Sequence, residues 1–282
     1  MANPILSQRD AFTARAPQSG YQQGYAQPGF PASGQQQYGQ APYGQPQYGQ
    51  APHGQPSAFG TGPVEPSMTL DDVIGKTGIT MLTLMASAVA SFLFLPAGLL
   101  MPALVLSALV GFVTVLLVSA RKKINPGLVL FYSVVEGVFI GAFSQFFEYR
   151  YPGIVSQAVL GTFAAAGATL AAYKYFNVRV GNKFRRMVFI TTAAFAGVML
   201  VNFVLALLGF TMGVRTGALG LVVALLGAGL AVFNLVIDFD DIERGIAMNA
   251  PASESWRAAF GLTVTMVWLY TEVLRILEYF RR

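Results

Sequence analysis

Seven apolar runs, each long enough to cross a bilayer as a helix, set what this chain can become. They fall at about 78–96, 100–120, 127–147, 154–173, 187–209, 216–237 and 257–277. A helix rises ~1.5 Å per residue, so ~20 residues match the ~30 Å of hydrocarbon in a membrane. Within that layer every backbone polar group must be satisfied internally, which leaves helices or closed barrels. Runs of this length select helices. Composition agrees: 54% of the chain is hydrophobic and 11% is charged, against about a quarter charged in soluble domains. The expected fold class is therefore all-α, a polytopic membrane protein whose short connections pack neighbouring spans antiparallel in a compact bundle.

The runs carry the residues that close helix packing in lipid requires. Gly137 and Gly141 make a GxxxG face in the third span, and GTFAAAGATLAA offers a small-residue surface in the fourth. Pro96 and Pro102 fit a tight turn between the first two spans. In PSMTLDDVIGKTGIT, Thr69 followed three residues later by Asp72 has the form of a capping box, which predicts a short helix leading into the first span.

Residues 1–66 differ in kind from residues 67–282. They are rich in Gln, Gly, Pro and Tyr and repeat a five-residue theme beginning at Tyr38, Tyr43, Tyr48 and His53. Such a segment buries too little apolar surface to offset the entropy of ordering, so a disordered tail is expected. His53, the only histidine, stands in a tyrosine slot of the repeat. The opening MANPILSQRDAFTARAP lacks the apolar stretch of a cleavable signal, so insertion is expected to rely on the spans themselves.

Positive charge orients the bundle. RKK at 121–123 follows the second span, and Lys174, Arg179, Lys183, Arg185 and Arg186 crowd the loop after the fourth. The other side offers Arg150 and Arg215 in its short loops. This bias predicts a multi-pass protein of the cell membrane with its N-terminal tail and basic loops in the cytoplasm.

Ionisable residues inside spans are costly and mark candidate functional sites. Glu136 lies mid-way along the third span with no basic residue within a helical turn. It must face the interior, a cavity or another polar group, or else stand as a neutral structural acid. Glu272 in the last span has Arg275 one turn on, which predicts an i, i+3 ion pair near the far interface. The third place is DFDDIE. Asp238 closes the sixth apolar run, and Asp240, Asp241 and Glu243 follow. Alternating carboxylates suit a hard cation such as calcium, with Asp238 and Asp240 the candidate ligands, although the EF-hand spacing is absent. Negative charge is unfavourable at a helix C-terminus, so these acids need solvent or cations from the neighbouring basic loops.

Enzyme chemistry is not expected. The chain has no cysteine and its one histidine is in the tail, which removes thiolate, histidine–zinc and serine–histidine arrangements. No resident cofactor and no nucleic-acid partner are expected. The lipid bilayer is the partner that composition implies.

Three blocks carry a further signal: MTLDDVIGKTGIT, EGVFIGAFSQFFE, and DFDDIERGIAMNAPASESWRAAFGLTVTMVWLYTEVLRIL. Over about 68–282 the chain resembles the bacterial branch of the Bax-inhibitor-motif membrane proteins, with the tail outside the likeness. The resemblance implies seven spans with the last helix central among the other six. It also implies a pH-sensitive calcium leak channel, with calcium and protons as its ligands. A regulator that conducts nothing and modulates a membrane-bound protease is the alternative. The family's pH sensor is a pair of aspartates in the sixth and seventh spans. Its F-D motif matches Phe239–Asp240, and counting 25 onward reaches Thr265, which is not an acid. The resemblance thus makes Asp240 the sensing residue and leaves Asp238 or Glu136 to replace the missing partner.

Overall fold

The computed structural model describes residues 66–176, 180–210 and 214–281, all within one compact unit. The tail up to residue 65, Arg179 and Arg282 lie outside the described residues. Among the described residues, seven helices long and apolar enough to cross a membrane follow one another. They are α1 (Leu70–Phe94), α2 (Leu100–Ala120), α3 (Pro126–Arg150), α4 (Ile154–Tyr175), α5 (Asn182–Leu207), α6 (Gly217–Ala247) and α7 (Glu254–Arg281). Alternation gives the bundle two ends. The proximal end holds the start of α1 and the α2–α3, α4–α5 and α6–α7 loops. The distal end holds the other loops and the last turn of α7.

Local chemistry sets most boundaries. Thr69 caps α1 by accepting from the Asp72 amide at 3.1 Å, while its hydroxyl donates to the Asp72 carboxylate at 2.8 Å. The cap belongs to the first span itself: α1 starts eight residues before the apolar run, and among the described residues no separate short helix precedes it. Pro96 follows the end of α1, and a single 3-10 turn at Ala97–Leu99 leads into α2. Asn125 caps α3 at Gly127 N, 2.9 Å away, with Pro126 in the first turn where its missing N–H costs nothing. The α3–α4 turn is closed by Glu148, which accepts from the amides of Gly153 at 2.5 Å and Val155 at 3.1 Å.

The largest departure from the apolar pattern is α6. It runs to Ala247, ten residues past the expected end, and so carries the acidic stretch inside the helix. It stops where Asn249 takes φ 51°, with Ala250 N returning to Gly245 O at 3.0 Å and Pro251 following. At 31 residues, α6 is about 46 Å long, well beyond a ~30 Å hydrocarbon layer.

Packing is tightest between α1 and α3. A Cβ added at Gly137 would fall 2.5 Å from Leu84 O and 2.6 Å from Ser87 Cβ, and one at Gly141 2.7 Å from Ser91 Cβ. The close approach lets Ser87 and Ser91 donate to Val134 O and Val138 O, at 2.7 and 3.1 Å. The small-residue surface of α4 is used less fully: Gly161 meets Val273 of α7, whereas a Cβ at Gly167 would meet nothing. Helix α7 is the most buried of the seven and α5 the least. The α7 backbone lies against α1, α3, α4 and α6. Side chains carry it to the other two: Phe260 shares a buried apolar cluster with Val118 of α2, and Trp268 meets Phe195 of α5. The last helix is therefore central.

Candidate functional site

The α6–α7 seam gathers the polar groups. On α6 the buried residues recur at helical spacing, and Gly220, Gly227, Asn234 and Asp241 stand seven apart with Asp238 beside them. Small and polar residues on that face let α7 approach and leave carboxylates enclosed at three depths.

At the middle depth Asp238, fully buried, accepts a 2.6 Å hydrogen bond from Thr265 of α7, itself 4% exposed. Thr263 of α7 pairs with Thr80 of α1 at 3.1 Å, and Asn234 donates to Thr192 of α5 at 3.0 Å. Counted along their helices, Asp238 and Thr265 lie about 14 and 17 Å from the proximal helix ends. Both are enclosed by the bundle, Asp238 where the apolar run of α6 ends.

Nearer the proximal end the acids meet arginines. Arg185, in the first turn of α5, bridges Asp240 at 2.5 Å and Asp241 through its other terminal nitrogen. Arg244 pairs with Asp240 at 2.8 Å and donates to Val180 O at 2.9 Å. Tyr173 of α4 donates to Glu243 at 2.7 Å. The basic loop does supply the cations that the acids need. Among the described residues no three His, Asp or Glu side chains gather as a metal site, so a calcium ion on Asp240 would have to displace both arginines. Asp241 Oδ2 and Asn234 Oδ1 are buried with no hydrogen-bond partner among the described residues.

At the distal depth Glu272 pairs with Arg215 of the α5–α6 loop, at 3.0 and 3.3 Å. This corrects the pairing expected from sequence. Arg275 turns toward α3 and sits 5.4 Å from the Phe143 ring centre, while Glu272 is 1% exposed rather than snorkelling.

Glu136 is not part of the seam. Its Oε2 rests against Gly111 of α2, where an added Cβ would come within 2.8 Å, and the side chain has no hydrogen bond or ion pair among the described residues. The acid pair suggested by residue counting is also redistributed. Thr265 meets Asp238, and Asp240 lies two residues, hence about 200°, further around α6.

Two elements escaped the sequence. Arg257 is fully buried, bound to Glu254 at 2.6 Å and donating to the carbonyls just past α2, Arg121 O and, at 2.9 Å, Lys122 O. An arginine at the very start of the last apolar run, three residues after a glutamate, was the available sign. The second is a strap: Met68 N bonds Ala250 O and Ala252 N bonds Pro66 O, both at 2.7 Å, tying the approach to α1 onto the α6–α7 loop. Lys76 adds a 2.7 Å bond to Ala252 O, and Met68, 2% exposed, plugs the proximal end between α1, α6 and α7. Separately, a cavity of about 220 Å³ lies between α1 and α4 with α3 and α7 as its floor, lined by apolar groups such as Leu84, Phe92 and Val159.

Fold and seam together define a seven-helix membrane protein with a central last helix and polar groups buried between it and α6. The chain belongs to the Bax inhibitor 1 like family, whose model matches residues 3–282. The match begins in the tail, which the resemblance read from sequence had left outside. Comparison with curated proteins gives no match.

Proposed function

We infer that the protein is a cation leak channel, calcium being the ion its chemistry suits best, and that the α6–α7 seam is the path. The observation that carries this is the Asp238–Thr265 bond, a fully buried carboxylate held by a hydroxyl of the central helix. Oxygen ligands are what a hard cation needs. The seam offers carboxylates at three depths, with an unpartnered oxygen on Asp241 at the proximal one and another on Asn234 distal to Asp238. Each acid is now engaged, so the form described is closed.

Thr265 changes how such a seam closes. Two facing acids close by sharing a proton and repel when both ionise. A hydroxyl donates to Asp238 without a shared proton, so closure does not require acid conditions. Asp238, with Thr265, replaces Asp240 as the residue expected to govern opening. The tail and basic loops lie in the cytoplasm, by the bias of positive charge, and the membrane is that of the cell.

The test is release of calcium from loaded liposomes carrying the purified protein. Release above protein-free liposomes across pH 6 to 8 is expected, with Asp238→Asn altering it more than Asp240→Asn. Thr265→Asp should install a strong pH dependence, with release falling as the pH falls and a proton is shared. Release no faster than from empty liposomes at any pH sinks the reading. The second reading, a regulator acting on a membrane protease without conducting, draws on the strap between Ser67 and Pro251, which links the chain preceding α1 to the α6–α7 loop.

A further inference from the structure

We propose that Glu272 is a second cation site, at the distal end of the seam, which the chain fills with its own guanidinium, that of Arg215; displacing this tethered cation opens the distal end. The proposal rests on the channel reading only for its gating half.

The pair is arranged with the carboxylate beneath and the cation above. The Glu272 side chain is 2% exposed and that of Arg215 is 19% exposed. The chain gives up side chains to make room for it. A Cβ at Gly227 would fall 2.8 Å from Glu272 Cδ, and one at Gly220 would meet Tyr279 Oη and the Arg215 backbone. Gly227 lies eleven residues, about 17 Å, along α6 from Asp238 on the face toward α7. An ion leaving the middle of the seam would therefore reach Glu272 as its next carboxylate.

Arg215 is held as a removable part. It belongs to the loop, not to a helix, and is fixed by three contacts: Glu272, Met199 Sδ at 2.9 Å, and Tyr279, whose hydroxyl donates to Arg215 O at 2.5 Å. Arg275 and Glu278 lie within electrostatic reach, but Arg275 is turned to Phe143 and does not share the carboxylate. A buried ion pair is a poor means of stabilising a fold, since apolar residues of similar size often serve as well or better. Removing only the cation leaves a buried carboxylate that must take up either a proton or another cation. The oxygens at this junction, those of Glu272, the Arg215 carbonyl and the Tyr279 hydroxyl, suit a hard cation.

Two measurements on the full chain test this. In detergent, Arg215→Gln should melt below the parent protein and recover on addition of millimolar calcium chloride, whereas the parent and Arg215→Gln/Glu272→Gln should not respond. A calcium response that is absent from Arg215→Gln, or equal in all three, overturns the site. In calcium-loaded liposomes Arg215→Gln should raise the initial release rate about tenfold, a factor equivalent to ~1.4 kcal/mol. If the parent leaks and Arg215→Gln leaks at the same rate, the gating half is overturned while the channel reading stands. If neither leaks but calcium still rescues Arg215→Gln, the site stands and the channel reading fails. Should Arg215→Gln not fold, Arg215→Lys keeps the charge at a single point of contact. It should leak faster than the parent as calcium rises, and an unchanged rate counts against the proposal.

Discussion

Replacing Thr265 with Val deletes one hydroxyl and keeps the branched shape, so it isolates the bond to Asp238. That bond is 2.6 Å long, and its partners are 0% and 4% exposed. Bonds to charged groups in soluble proteins contribute ~1.5–3 kcal/mol. Interhelical bonds in membranes average ~0.6 kcal/mol and reach ~1.7, because the unfolded chain in lipid also finds partners. Full burial of both groups places this bond at the upper end of the membrane range, about 1–2 kcal/mol. The assay is a double-mutant cycle of Thr265→Val and Asp238→Ala, read by denaturant unfolding in micelles. A coupling of about 1–2 kcal/mol is expected. Additivity to within ~0.3 kcal/mol, as for distant independent sites, would show that the bond contributes nothing and would remove the basis of the seam's closure.

Two glycines and a buried arginine give sharper contrasts. Gly137→Ala places a Cβ against the α1 backbone and should destabilise by ~1–3 kcal/mol, as overpacking does, while Gly167→Ala meets open space and should gain up to ~1 kcal/mol from helix propensity; unfolding of both variants in the same detergent checks the pair. Arg257→Met leaves Glu254 buried without its partner and should cost ~3–5 kcal/mol, with part regained in Arg257→Met/Glu254→Gln. Equal melting of the single and double variants would refute that ledger.

The bundle was legible because lipid imposes its demand on every span at once. Hydropathy located all seven helices, and the GxxxG of α3 marked the tightest contact, against α1. The end of α6 was not legible, since acids ordinarily mark a helix leaving the membrane. Here Arg185 and Arg244 neutralise them and the helix continues to Ala247. Position 265 was found through family likeness, but its partner was not. Counting residues across the α6–α7 loop does not register which face of α6 a residue occupies, and Asp240 and Asp238 point about 200° apart. Arg275, one turn from Glu272, was the natural partner on a single helix. Arg215 reaches the same carboxylate from 57 positions away, a contact that only the folded bundle creates.

The seam itself is most directly tested by locking it. The chain contains no cysteine, so Asp238→Cys/Thr265→Cys introduces the only two thiols, facing each other across α6 and α7. Cadmium bridging them should stop calcium release from liposomes, with release restored by a chelating dithiol and neither single variant affected. Release that continues unchanged after both thiols have become unreactive to labelling would contradict the seam as the path.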